Sequence, residues 1–265
     1  MNKIIISLYD HYKNTNKKLK IVCDWDEVIQ AHEPYAMWKL GEGQEQQVSF
    51  PKFFKHIWDT EGAICYSPYG SFVVLAPNRL EQQIQIKNSP NFYQQAPFLT
   101  IAKELLMLIK AGKVERLIFL SAYDKRKFPN GDPRKHKIFK ETFRKLNGFK
   151  NKKSQGKDCK NKEVELAFFI PSIELQLIGF DSKEKGQTKA DWIKENASDF
   201  DIVIDDNPII CGNIVHMAEV WKNNLVVIAP YYPAAAEQHS KLTLLVKTSV
   251  SDLTKEDFKD YGKDK

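Results

Sequence analysis

The sequence predicts an α/β fold, in which a mostly parallel sheet is covered by helices on both faces. Five short apolar runs are continuous rather than alternating in hydrophobicity, as expected for strands that are buried on both faces. Helical patterns lie between these runs, so that strand and helix alternate along the chain. At 265 residues the chain is long enough to bury one large core.

The predicted elements follow one another in a regular order. The strands are LKIVC (19–23), RLIFLS (116–121), ELQLIGF (174–180), DIVID (201–205) and LVVIA (225–229). Residues 97–113 and 132–148 have apolar side chains at helical spacing, and each of these segments ends at a glycine. Two further helices are predicted at 188–197 and 208–223.

Two segments interrupt the alternation. Residues 31–96 contain no strand of the core type, and we interpret them as a cap or subdomain inserted after the first strand. This insertion has a helix of its own, and the stretches SFVVLA and IQIK leave a hairpin open as an alternative. The second insertion, at about 122–172, follows the second strand. The whole chain, 1–265, is therefore predicted to be a single α/β domain that carries two insertions.

Positive charge is concentrated in the second insertion. The formal net charge of the chain is +6, but residues 122–162 hold 15 Lys or Arg against 4 Asp or Glu. Two interpretations stay open. The segment is either a solvated, mobile surface or a basic face that attracts phosphorylated substrates or nucleic acid.

Several classes of protein are excluded by composition and cysteine spacing. No run of 18 apolar residues predicts a transmembrane helix, and the beginning of the chain lacks the pattern of a signal peptide. The four cysteines contain no CxxC pair, so neither a structural zinc site nor a disulfide framework is indicated. A reducing compartment such as the cytoplasm is expected. The sequence leaves the oligomeric state open.

Polar side chains follow the predicted strands at their carboxyl ends, where open parallel sheets bind ligands. Asp24 and Asp26 follow the first strand, Ser121 ends the second, and Asp205 and Asp206 leave the fourth; Lys189 opens the helix before it. Several carboxylates gathered at one edge would repel each other unless a cation lay among them. Oxygen ligands without His or Cys favour Mg²⁺.

These motifs resemble those of the haloacid dehalogenase (HAD) superfamily. Asp24-x-Asp26-x-Val28 resembles its first motif, Ser121 its second, Lys189 its third and the pair Asp205-Asp206 its fourth. For the third motif, Lys183 and Lys185 remain alternatives. The resemblance covers about 19–34 and 97–230 and follows the order of the family. It implies a HAD-like Rossmannoid three-layer fold with an inserted cap and a phosphatase-type activity.

The resemblance also implies a role for each residue. Asp24 would be the nucleophile that forms an aspartyl-phosphate, and Asp26 would be the general acid and base. Ser121 and Lys189 would hold the phosphoryl oxygens. The ligands of Mg²⁺ would be Asp24, Asp205, the backbone carbonyl of Asp26 and, directly or through water, Asp206.

A phosphomonoester hydrolase is therefore the leading hypothesis. The substrate would be a phosphorylated small molecule, with a nucleotide, a sugar phosphate and a nucleic-acid end as alternatives. A second hypothesis is a catalytically weak HAD-like domain that binds nucleic acid or a partner. Trp25 is predicted to be a packing residue, and Glu27 a surface or capping residue.

Overall fold

The computed structural model describes residues 5–42, 48–59, 76–148, 171–180, 185–217, 220, 222–232 and 242–259. Its centre is a sheet of seven strands in the order β1-β7-β6-β5-β2-β3-β4. The strands are β1 Ile5–Ile6, β2 Leu19–Cys23, β3 Val114–Asp124, β4 Ser172–Phe180, β5 Ile202–Ile204, β6 Val226–Pro230 and β7 Leu244–Val246. All six pairings are parallel, which confirms the predicted class.

Helices connect these strands. They are α1 Leu8–Tyr12, α2 His32–Met37, α3 Phe50–Asp59, α4 Pro77–Asn88, α5 Phe92–Gln95, α6 Thr100–Lys110, α7 Pro133–Glu141, α8 Lys185–Asn196 and α9 Pro208–His216. The four predicted helices correspond to α6 to α9, but they differ from the prediction at their ends. The second predicted helix ends as a 3-10 helix at Phe143–Gly148, and the last is interrupted at Met217, whose backbone is extended. Helix α8 begins at Lys185, so Lys189 lies within this helix and does not open it.

Two separate apolar layers cover the two faces of the sheet. Successive side chains of a strand point to opposite faces, so Ile21 and Cys23 of β2 lie in one layer and Val22 lies in the other. Residues of α1, α6 and α7 complete the first layer, and residues of α8 and α9 complete the second. The predicted arrangement, with helices on both faces of the sheet, is therefore confirmed.

The described part of the first insertion is helical. It comprises α2, a π-helical stretch at Trp38–Glu42, α3, α4 and α5. The stretch IQIK lies inside α4, whereas SFVVLA lies outside the described residues except for Ala76. The helices share the apolar layer of β2 and β3, for example through Trp58, which stacks on Tyr232 with ring centroids 4.0 Å apart. The limits of the cap stay a prediction.

The described part of the basic segment, 122–148, is folded onto the sheet. Helix α7 begins after Asp132, whose carboxylate accepts a hydrogen bond from the backbone of Arg134. It buries Ile138 and Phe139 against the first apolar layer. Residues 149–170, which hold much of the positive charge, lie outside the described residues. Among the described helices, none has the length and apolar character needed to cross a membrane.

Candidate active site

Two carboxylates lie side by side at the carboxyl ends of β2 and β5. These strands are paired so that Cys23 faces Ile204, and the next residue of each chain segment is an aspartate. The backbone N–H of Asp24 donates to the carbonyl of Ile204 at 2.8 Å, so the ladder continues one residue past the strand. The predicted neighbourhood of Asp24 and Asp205 therefore follows from strand register.

Lys189 of α8 lies between these two carboxylates. Its Nζ is 2.8 Å from Oδ2 of Asp24 and 2.6 Å from Oδ2 of Asp205, and its side chain is 1% exposed. Burial alone would lower the pKa of Lys189, but the carboxylates of Asp205 and Asp24 raise it above its ordinary value. Lys189 therefore stays charged. The alternatives for this position, Lys183 and Lys185, lie outside the described side chains.

The carboxylates of Asp24, Asp205 and Asp206 form a group that fits a metal ion. One oxygen of each lies within 4.8 Å of the others, and Asp24 and Asp205 are buried. Three carboxylates gathered at one edge repel each other. A divalent cation with a preference for oxygen ligands would reduce this repulsion, which is the chemistry of Mg²⁺.

A second group contains Asp26 and Ser121. Ser121 is fully buried and lies within β3, which continues to Asp124, so the predicted strand end at Ser121 is wrong by three residues. Strand β2 stops opposite Phe119, and Ser121 therefore still lies beyond the end of β2. Its hydroxyl is 3.5 Å from Oδ2 of Asp26. The six residues predicted for the site thus form two groups, which adjoin through Trp25.

Lys135 and His32 complete the second group, and no sequence motif predicted either of them. Nζ of Lys135, from α7, is 2.5 Å from Oδ2 of Asp26 and 2.6 Å from Oγ of Ser121. Nδ1 of His32, at the start of α2, is 2.7 Å from Oδ1 of Asp26. Both side chains are buried. Lys135 lies in the basic segment and His32 in the predicted cap, so neither follows a predicted strand.

Burial lowers the pKa of His32 below its ordinary value, although Asp26 opposes this shift. The second ring nitrogen of His32 is 3.3 Å from Oε1 of Gln30, which also accepts a hydrogen bond from the indole of Trp25 at 2.9 Å. Trp25 is 1% exposed and packs edge-on against Phe119, which confirms its prediction as a packing residue.

Glu27 is buried, so the prediction of a surface position is wrong and that of a capping residue is confirmed. Its Oε1 accepts hydrogen bonds from the backbone N–H groups of His32 and Glu33 at the start of α2. Its backbone has a φ of 61°, and its Oε2 makes no hydrogen bond within the described residues. Burial raises the pKa of Glu27 well above its ordinary value, and Glu33 and Asp206 add to the rise.

The raised pKa of Glu27 predicts a pH-dependent effect of Glu27→Gln. The folded state binds the proton of Glu27 more tightly than the unfolded state, in which the pKa is about 4.3. The wild type therefore loses stability as the pH rises from that value through the raised pKa. The glutamine keeps the capping oxygen and has no charge to bury. The melting temperature of Glu27→Gln should exceed that of the wild type at pH 8, and the difference should shrink towards pH 5.

The control for this experiment is Glu81→Gln, because Glu81 is exposed on α4. Its melting temperature should differ from that of the wild type by the same small amount at every pH. A difference between Glu27→Gln and the wild type that is equally constant from pH 5 to pH 8 would contradict the assignment of a buried, destabilising carboxylate.

Comparisons with known proteins give only distant likenesses. No model of a known protein family matches the chain, and no curated protein sequence matches it. Among 12 solved chains that match, one is described as "Putative beta-phosphoglucomutase from Bacteroides vulgatus". It is 14% identical with a TM-score of 0.36, and the match covers 95% of this chain and 90% of that one. A "Putative Phosphatase from Clostridium difficile" is 11% identical with a TM-score of 0.40, over 88% and 95% of the two chains.

Proposed function

We propose that this protein is a Mg²⁺-dependent phosphomonoester hydrolase of the HAD type, which acts through an aspartyl-phosphate intermediate. The observation that carries the proposal is the position of Asp24. It follows β2 directly, shares Lys189 with Asp205, and lies two residues before Asp26, whose carboxylate adjoins Ser121. A nucleophile, a metal-binding group and a general acid thus adjoin one another at one end of the sheet.

Asp24 would attack the phosphorus atom of the substrate. Its carboxylate oxygen forms a new P–O bond while the bond to the leaving oxygen breaks. One of its oxygens accepts a hydrogen bond from the backbone of Trp25 at 2.7 Å and the other lies against Lys189, so its orientation is fixed. Lys189 and the hydroxyl of Ser121 would offset the charge of the phosphoryl oxygens.

The metal-binding group would reduce the repulsion between this carboxylate and the phosphate. Mg²⁺ held by Asp24, Asp205, the backbone carbonyl of Asp26 and, directly or through water, Asp206 would supply positive charge at the phosphoryl oxygens. The resemblance to the HAD superfamily supplies this ligand set. The spacing of the carboxylates of Asp24, Asp205 and Asp206 supports it.

Asp26 would handle the protons of both half-reactions. Its side chain is 25% exposed, compared with 9% for Asp24, so a leaving group can reach it. It would give a proton to the leaving oxygen and then take one from the water that attacks the phosphorus of the intermediate and releases the carboxylate of Asp24. The two aspartates would thus act in turn on the same phosphate.

The substrate class is a phosphomonoester on a small molecule, a nucleotide or a nucleic-acid end. Exposed basic residues before and after α7 favour a substrate with several negative charges, because they attract it over a long range; they include Lys125, Lys127, Arg144 and Lys145. The free, buried thiols of Cys23 and Cys211 support a reducing compartment such as the cytoplasm.

The proposal is tested by the metal dependence of hydrolysis. Phosphate release from a panel of phosphorylated metabolites and short 5′- and 3′-phosphorylated oligonucleotides is measured after chelation and after addition of Mg²⁺, Mn²⁺ or Ca²⁺. Mg²⁺ and Mn²⁺ should support turnover. Ca²⁺ should inhibit, because its larger and looser coordination shell would misplace Asp24. Full activity after exhaustive chelation, or with Ca²⁺ alone, would contradict the metal site.

A further inference from the structure

We propose that Lys135 is a positioning residue, which holds the carboxylate of Asp26 in the orientation that proton transfer to the leaving group requires. This inference rests on the proposed hydrolase function and adds a residue from the basic segment to it. It is carried by three contacts of one buried ammonium group and by the position of α7 against the sheet.

The ammonium of Lys135 has three N–H donors, and three acceptors surround it. Two acceptors belong to β3, namely Oγ of Ser121 at 2.6 Å and the backbone carbonyl of Ala122 at 2.9 Å. The third is Oδ2 of Asp26 at 2.5 Å. Two of the contacts therefore fix the ammonium to the strand, and the third fixes Asp26 to the ammonium.

The helix that carries Lys135 also holds the aliphatic part of its side chain in place. Helix α7 has Asp132 as its N-cap and Pro133 in its first turn, and it packs Ile138 and Phe139 into the core. The side chain of Lys135 is 4% exposed. A lysine is costly to bury unless it is paired and hydrogen-bonded. Here the partner of the buried lysine is Asp26, a residue of the proposed active site.

Asp26 is thereby held at Oδ2 by Lys135, while Nδ1 of His32 lies 2.7 Å from Oδ1. A general acid must lie within hydrogen-bond reach of the leaving oxygen, and a misplacement of about 1 Å can cost roughly 10²-fold in rate. Direct contact of Lys135 with the phosphate is the competing role. It is less favoured because all three N–H groups already have partners on the protein.

The first experiment compares Lys135→Met with the wild type on two substrates. One is an alkyl phosphate, whose leaving group needs a proton. The other is p-nitrophenyl phosphate, whose leaving group, p-nitrophenolate, departs without one. Lys135→Met should lower kcat by roughly 10²-fold for the alkyl phosphate and far less for the aryl phosphate, with KM nearly unchanged. Lys135→Arg, which keeps the charge and the donors, should recover part of the alkyl rate. Lys137→Met, on the exposed side of α7, should behave as the wild type.

The second experiment adds the double variant Asp26→Asn/Lys135→Met. Because Lys135 acts through Asp26, the double variant should be as active as Asp26→Asn alone on both substrates. It should also melt at a higher temperature than Lys135→Met, since no carboxylate is left without its cation. The double variant can be compared with Asp26→Asn even if Lys135→Met does not fold. The reason is that the double variant has no carboxylate at position 26 that has lost Lys135.

Three results would overturn the inference. One is a loss in Lys135→Met that is equal for both leaving groups, and a second is a rate for the double variant well below that of Asp26→Asn. The third is weaker inhibition of Lys135→Met by inorganic phosphate together with a higher KM, which assigns Lys135 to the phosphate itself. Failure of the proposed function looks different, since the wild type would then hydrolyse neither substrate or Asp24→Asn would remain active.

Discussion

Replacing Asp24 with asparagine is expected to abolish hydrolysis and leave the fold intact. The loss should be on the order of 10⁴- to 10⁶-fold, the range found when a catalytic nucleophile or its partner is removed. Asparagine fills the same volume, and its oxygen can still accept the hydrogen bond from the backbone of Trp25. The measurement is the rate of phosphate release together with the melting temperature.

The melting temperature of Asp24→Asn should stay within about 4 °C of the wild type, which corresponds to roughly 1 kcal/mol for a chain of this size. Lys189 loses one of its two carboxylates but keeps Asp205 at 2.6 Å, and the remaining carboxylates repel each other less. The matched control is Asp199→Asn. Asp199 belongs to the second D-x-D of the chain and is exposed, so this variant should keep full activity. A folded Asp24→Asn protein with wild-type turnover would rule out Asp24 as the nucleophile.

The carboxyl ends of β2 and β5 were predictable from the sequence for a simple reason. Strands buried on both faces have a continuous apolar signature, and the first polar residue after each of them marks the edge where parallel strands end. Asp24 and Asp205 come together because Cys23 and Ile204 are paired in the sheet. Strand β1, with two residues, and strand β7, with three, were not predicted.

Lys135 and His32 could not be predicted in the same way. Their approach to Asp26 depends on how α7 and α2 pack on the sheet, which a local sequence pattern does not record. The residues around Lys135 in the sequence made its prediction harder still, because a lysine among many basic residues is expected to be solvated. A usable signal does exist at this position, since Lys135 falls three residues before Ile138 on the apolar side of α7.

Glu27 illustrates a different limit of the sequence. Its carboxylate follows two aspartates, and a run of charge is expected on a surface. The backbone of Glu27 has a positive φ, which turns the chain so that the side chain points inward and caps α2. A positive φ is uncommon for residues other than glycine, and nothing in the local pattern DWDEV indicates it. The buried position of Glu27 therefore became evident only from the fold.

The structure separates the proposed chemistry into two parts, each with its own lysine. Lys189 lies against Asp24 and Asp205, where the phosphorus would be attacked, and Lys135 lies against Asp26, where the leaving group would receive its proton. Each lysine is buried and paired with at least one carboxylate, so its ammonium group is held in place before a phosphate arrives. Such preorganised charge is the main source of stabilisation in phosphoryl transfer.

Replacing Asp26 with asparagine is therefore expected to impair only the proton-dependent part of the reaction. General acid catalysis contributes about 10²- to 10⁴-fold, so kcat for an alkyl phosphate should fall by that factor. For p-nitrophenyl phosphate the fall should be much smaller. The asparagine oxygen can still accept from Lys135. Its amide can donate to Nδ1 of His32 in the tautomer that carries the ring proton on Nε2, towards Oε1 of Gln30.

The two substrates are measured side by side with Asp26→Asn and the wild type at saturating Mg²⁺. The ratio of the alkyl to the aryl rate distinguishes a general acid from a structural residue, because any general loss of active protein affects both rates equally. A ratio that falls by about 10²-fold or more would match the loss of a general acid. An unchanged ratio, with both rates lowered equally, would assign Asp26 a structural role in pairing with Lys135 and His32, and the proton for the leaving group would then have to come from another residue.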